Sequence, residues 1–205
     1  MAEITPVTLQ GSKISKTTLH NYAFITNLKL NIGDEVVIKK AGDVIPQITR
    51  VIKLNNSNSW QPPTNCPSCN SGLVWNRTNI YQLCENNDCP QKVINYLAHF
   101  ASKNGLDIKG ISQKNIQKLY ENSLLNRPTD FYQLYQKEKE LLKLEGFKKK
   151  TVNNLLNSIE NSKKKPFGNL LAALGIPLLS SVKAQKLTNF YPELPSFIAA
   201  IEGNE

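Results

Sequence analysis

The chain has 205 residues, 25 Lys+Arg against 16 Asp+Glu, and a formal net charge of +9. A hydrophobic content of 40% excludes a disordered chain. No run approaches the ~18–20 apolar residues of a membrane span, and the opening residues lack the basic-then-apolar pattern of an export signal. These features predict a soluble, cytoplasmic protein of one to three small domains with a polyanionic partner, nucleic acid ahead of a membrane surface.

Residues 3–53 read as strands. Val36-Val37-Ile38 and Val44-Ile45 are β-branched runs, and Ile48 to Ile52 alternates. Lys39-Lys40-Ala41-Gly42-Asp43 reads as a hairpin turn between them, and Asn31 to Asp34 as another turn. Short strands with closely spaced turns predict a small barrel over residues 1–60. Lys39 and Lys40 are candidate phosphate contacts, although a solvated hairpin tip would look the same. The stretch Asn55–Pro63, rich in Asn and Ser with two Pro, reads as a linker.

Cysteines follow as C-x2-C-x14-C-x4-C: Cys66, Cys69, Cys84 and Cys89. Two close pairs separated by a short β-like stretch predict one tetrahedral Zn2+ held by four thiolates over residues 61–91. Four thiolates fill the coordination sphere, so the metal is expected to be structural, and its binding to supply folding energy to a segment too short for its own core. Two disulfides are the competing reading, disfavoured by this spacing and the missing export signal.

From Gln91 onward the period becomes helical. Val93, Tyr96, Leu97, Phe100 and Ala101 share one face, as do Val152, Leu155, Leu156 and Ile159. A repeat is visible at Gly110-Ile111-Ser112, Gly146-Phe147-Lys148 and Leu178-Leu179-Ser180. In each, the middle residue is apolar. An apolar residue follows four positions after the third (Ile116, Val152, Ala184), and Leu follows seven after it (Leu119, Leu155, Leu187). Each unit is expected to be a helix, a tight hairpin and a second helix, giving an all-α region over 92–205. This region carries 17 basic and 10 acidic residues, with lysine clusters at 148–150 and 163–165. Such clusters are either phosphate contacts or ordinary solvated helix ends. His20 and His99 belong to no nucleophile constellation, and each is expected to complete a structural hydrogen bond. A phosphate-binding G-x-x-x-x-G-K-[ST], a G-x-S-x-G and a Lys-x-Asp-Gly are all missing.

The order of these parts resembles the C-terminal portion of the bacterial NAD-dependent DNA ligase family. The matching words are Ser15 to Asn21 (S-K-T-T-L-H-N), Ile32 to Pro46 (ending K-A-G-D-V-I-P), Cys66-Pro67-Ser68-Cys69, His99 to Lys103 and Leu106 to Gly110. Leu144 to Phe147 and Leu170 to Ile176 complete them. The resemblance implies a multi-domain α+β chain: an OB-fold barrel, a four-cysteine zinc element, and three of the family's usual four helix-hairpin-helix repeats. It implies double-stranded, nicked DNA as partner and a monomer that grips the duplex, with Gly110, Ser112, Gly146 and Lys148–Lys150 at the contact beside Lys39 and Lys40. NAD and the adenylated lysine belong to family domains that these residues do not match. The chain alone is therefore expected to be inactive, acting with an adenylation domain joined covalently or supplied in trans. The alternative is a stand-alone, sequence-independent DNA-binding module. Met1 falls inside the expected first strand and a fourth repeat would fall near ~213, so the sequence reads as an internal portion of a ligase. In the family the hairpins read G-x-G. Here Ser112, Lys148 and Ser180 stand at the second glycine, and Leu178 at the first glycine of the third unit.

Overall fold

The computed structural model describes residues 1–42, 44–55 and 60–203. They form two compact units, Met1–Asn86 and Asn87–Glu205. Asp43 of the expected hairpin turn and residues 56–59 of the expected linker lie outside the described residues.

In the first unit, β1 (Ala2–Leu9) pairs antiparallel with β2 (Ser12–Thr17), and β3 (Glu35–Ala41) with β4 (Ile45–Lys53). A parallel bridge between Thr18 and Gln47 joins the two ribbons. Thr17 is fully buried there and donates its hydroxyl to the Pro46 carbonyl at 3.0 Å. Gln10 and Gly11 turn the first hairpin with φ of 49° and 73°, the left-handed pair that a two-residue hairpin loop needs. The all-strand reading of residues 3–53 misses one element: Tyr22–Leu28 is a helix, α1. Asn21 explains it, because its side chain accepts from the Phe24 N–H at 2.9 Å and so caps the helix start. Lys29, in the left-handed region at φ 51°, ends it.

The core of this unit is thin. Ile14 and Ile48 are its buried aliphatic residues. An open, mainly apolar hollow of about 380 Å³ lies among Ile4, Leu19, Ile25, Leu30, Val36 and Trp60. Later in the same unit β5 (Leu73–Trp75) pairs with β6 (Gln82–Cys84) in a small hairpin. Its Trp75 ring lies 4.7 Å from Tyr22, which also meets Trp60 at 5.9 Å. The small hairpin is thereby tied to α1 by three aromatic rings.

The second unit is helical. α2 (Pro90–Ala101) precedes α3 (Gln113–Glu121), and a 3-10 segment (Pro128–Lys137) runs into the single turn α4 (Glu138–Leu141). α5 (Lys149–Ser162), α6 (Phe167–Ala173), α7 (Ser181–Thr188) and α8 (Leu194–Glu202) follow. Asp130 sets the 3-10 entry by accepting from the backbone N–H groups of Asn126 and Arg127. The buried core takes Ile94, Leu97, Phe100 and Ala101 from α2, Ile116 and Leu119 from α3, and Val152, Leu155 and Ile159 from α5. Phe100 and Phe131 stack within it at 5.9 Å. The predicted α2 face holds at Leu97, Phe100 and Ala101, with Val93 half-buried against the core, and differs in that Ile94 is buried whereas Tyr96 is at the surface. A smaller core holds α6 and α7 together through Leu171, Ala172 and Ala184, with Phe167, Leu187 and Phe197 packed on it.

Candidate metal centre and nucleic-acid contacts

Each cysteine pair sits on a backbone feature that its neighbours dictate. In the first, the Asn70 N–H donates to the Cys66 carbonyl and the Cys66 N–H to the Ser71 carbonyl, both at 2.8 Å. Asn70 takes φ 59°, a conformation asparagine tolerates better than most residues. In the second, Cys84 ends β6, and Cys89 is the residue before α2, with Pro90 at the first helical position. The Cys89 carbonyl accepts the first helical hydrogen bond, from Val93 at 3.1 Å. The helix N-terminus favours negative charge there, so it suits a thiolate.

The four Sγ atoms all lie within 4.8 Å of one another. Cys69 and Cys84 are 3.5 Å apart at sulfur, far beyond a disulfide bond. Zn–S bonds of about 2.3 Å in a tetrahedron place sulfurs ~3.8 Å apart, so this cluster fits one Zn2+ with modest contraction. Cys66 and Cys89 are buried, while Cys69 and Cys84 are half-buried. The Cys69 thiol is drawn down from 9.0 to about 6. The chief cause is its hydrogen bond with the Ser71 side chain, followed by the Ser71 backbone and, more weakly, Cys84 and Cys66. Burial opposes the shift. Ser71 Oγ, 3.4 Å from Cys69 Sγ, is itself held by the Asn86 amide at 3.3 Å. The donor set is thus pre-arranged for a soft divalent ion, and Zn2+ there would act as a closed structural cross-link.

The three expected hairpins share a backbone signature. Gly110, Gly146 and Leu178 take φ of 82°, 89° and 67°. The residue two places on begins a helix in extended conformation: Ser112, Lys148 and Ser180, with φ of −95°, −74° and −70°. Ser112 and Ser180 are working N-caps, accepting from the Asn115 and Lys183 N–H groups at 3.2 and 3.3 Å. The second glycine of G-x-G is therefore replaced where no positive φ is needed. The first is replaced only at Leu178, which keeps the left-handed φ without being glycine. The repeated apolar positions also hold: Ile116, Val152 and Ala184 are all buried.

Lys148 forms no side-chain cap, and Lys148, Lys149 and Lys150 are all exposed at the start of α5. Three ammonium groups at the positive end of a helix are unfavourable unless an anion approaches. Lys118 donates to the Glu145 carbonyl and carboxylate, both at 3.1 Å, and so ties α3 to the turn before Gly146.

Lys39 and Lys40 lie on β3, not in the turn, so they point to opposite faces of the ribbon. Lys39 is exposed, and Lys40 donates to Ser12 Oγ at 3.1 Å. His99 makes the structural bond expected of it, Nε2 to the Ala172 carbonyl at 2.8 Å. Sequence reasoning missed a polar cleft between Lys109 and α5. The spacing of Asn154, Asn157 and Asn161 on one helical face was the readable signal.

Residues 1–59 match the family model of the NAD-dependent DNA ligase OB-fold domain. A relative from Mycoplasmopsis pulmonis is 38% identical over 99% of this chain, one from Aliarcobacter butzleri 40% over 91%, and one from Rickettsia bellii 39% over 98%. All three are DNA ligases. This chain covers 30%, 29% and 30% of their respective lengths. The match to DNA ligases therefore extends well past the OB-fold domain, through the cysteine cluster and the helical unit.

Proposed function

We propose that this chain is the DNA-gripping portion of an NAD-dependent DNA ligase that seals nicks in cytoplasmic duplex DNA during replication and repair. The observation that carries the reading is the near-full-length match to DNA ligases at 38–40% identity, combined with the thrice-repeated turn geometry. In this reading residues 1–60 are an OB-fold barrel, 61–91 the zinc element and 92–205 three helix-hairpin-helix repeats.

Each hairpin offers backbone N–H groups at a helix start to phosphate oxygens, a contact favoured by the helix dipole. Gly110 and Gly146 leave room for such an approach, since a Cβ at either would meet nothing within 4 Å. Lys148–Lys150 add charge at the second hairpin. Lys39 supplies a phosphate contact from the barrel. Lys40, committed to Ser12 on the other face, contributes less directly. The four cysteines would hold Zn2+, which supplies a rigid cross-link and no reaction step. Adenylation and sealing would rest with a nucleotidyltransferase domain and NAD. The chain on its own would bind nicked duplex without regard to sequence.

Fluorescence anisotropy with labelled nicked and intact duplexes across a salt series tests this. Binding should fall linearly on a log–log plot, with a slope of about −0.9 per phosphate neutralised. Binding that is insensitive to salt, or self-adenylation by this chain mixed with NAD, would overturn the reading.

A further inference from the structure

Two of the expected DNA-contacting turns are connected by one helix. α5 starts at the second turn, with Lys148–Lys150. Further along α5, Ser158 Oγ accepts from the Lys109 N–H at 2.6 Å, so the loop leading into Gly110 rests on that helix. From residue 148 to 158 is about 15 Å at 1.5 Å per residue, the axial span of roughly four phosphates of one DNA strand.

The 3.6-residue period puts Lys150, Asn154, Asn157, Ser158 and Asn161 on one side of α5, and Lys165, just past the helix end, lines the same cleft. Val152, Leu155 and Ile159 are buried on the other. The three asparagines are exposed, and their amides form no hydrogen bond among the described residues. They line a cleft of about 360 Å³, whose far wall is Asp107 and Lys109 and whose lining has no aliphatic or aromatic side chain. Asp107 is neutralised by Lys165 at 3.1 Å. Lys109 and Lys103 also act on its charge, and two lysines against one carboxylate in the lining leave the cleft net positive. Glu160, on the neighbouring surface, is paired with Lys163. A lining of amide donors with the Lys109 ammonium beside them suits phosphodiester oxygens and offers nothing to an apolar ligand.

We infer that this face of α5 is a further DNA-backbone contact, running between the two turns, with the amides of Asn154, Asn157 and Asn161 donating to phosphate oxygens and Lys109 supplying charge. The inference rests on the DNA-binding reading above.

Its test uses the full, zinc-loaded chain and a short fluorescein-labelled nicked duplex. Asn157→Asp/Asn161→Asp is compared with Gln133→Glu/Gln136→Glu, the same charge change on the segment that packs against the apolar side of α5. The first double should weaken binding about tenfold or more at fixed salt, by placing carboxylates against phosphates, and the second much less. Lys109→Gln should make the salt slope shallower by about one. Asn157→Ala/Asn161→Ala, with circular dichroism on every variant, separates lost contacts from lost fold and should weaken binding without adding repulsion. Equal affinities for the two charge-changed doubles, with an unchanged slope for Lys109→Gln, would overturn the α5 contact while leaving the DNA reading intact. A wild-type chain that fails to bind nicked duplex would overturn both.

Discussion

Replacing Leu178 by glycine should stabilise the helical unit, although leucine is the larger and more apolar residue. Leu178 holds φ 67° at the place where the other two turns carry glycine at 82° and 89°. An L-residue in the left-handed region costs about 1–2 kcal/mol. Glycine removes that strain and returns about 0.5–1 kcal/mol through the greater freedom of its unfolded chain. The side chain is 91% exposed, so its loss forfeits little burial. The net expectation is a gain of about 0.5–1 kcal/mol, or a melting temperature higher by roughly 2–4 °C per kcal/mol for a chain of this size. Gly110→Ala and Gly146→Ala provide the mirror experiment. A Cβ at either position meets nothing within 4 Å, so the cost is purely conformational, about 1 kcal/mol. Urea and thermal unfolding followed by far-ultraviolet circular dichroism would measure all three. A Leu178→Gly chain that is less stable than wild type, beside a destabilised Gly146→Ala, would refute the argument that the third turn shares the backbone of the second.

Lys148→Ser should move stability and DNA binding in opposite directions. A serine N-cap adds about 1 kcal/mol to the fold, while loss of the ammonium should make the salt slope for DNA shallower by about one. Metal analysis should return one zinc per chain, and chelation should change tryptophan emission, because Trp75 in the cysteine-bearing hairpin and Trp60 both lie against Tyr22. Cys66→Ser should abolish stoichiometric zinc, and retention of a full equivalent would argue against the four-thiolate site. The Asp107 carboxyl is held below its ordinary 3.8, chiefly by its hydrogen bond from Lys165. That contribution is complete above pH 3.8 and disappears as pH falls through the lowered value. The stability difference between wild type and Asp107→Asn should therefore be present at neutral pH and vanish in strong acid.

The gathering of the four cysteines was legible from their spacing, because two close pairs on tight turns bring their thiols to one place. The burial of Ile116, Val152 and Ala184 was legible from the sequence, since each stands at the same distance after an expected turn. Helix α1 was not, because its apolar and β-branched residues imitate a strand and the deciding signal is one capping side chain, Asn21. The stretch before Gly146 forms a 3-10 segment and a four-residue turn where a regular helix was expected, a distinction that hydrophobic period does not carry. Lys39 and Lys40 looked like one charged tip, and the extension of β3 through Ala41 separates them onto opposite faces.

Two of the turns hold a second left-handed residue three places earlier: Asp107 before Gly110, and Gly175 before Leu178. The first turn has its glycine at the later place, the third at the earlier, and the torsion angles agree although the letters have traded positions. Turns of this kind can thus differ in spelling while keeping the same sign of φ, so a search keyed to glycines would find two of these three described turns and one keyed to φ would find all three. The same property makes the turns candidates for exchange, with the three-residue segment at Gly110 grafted whole into the place of Leu178-Leu179-Ser180.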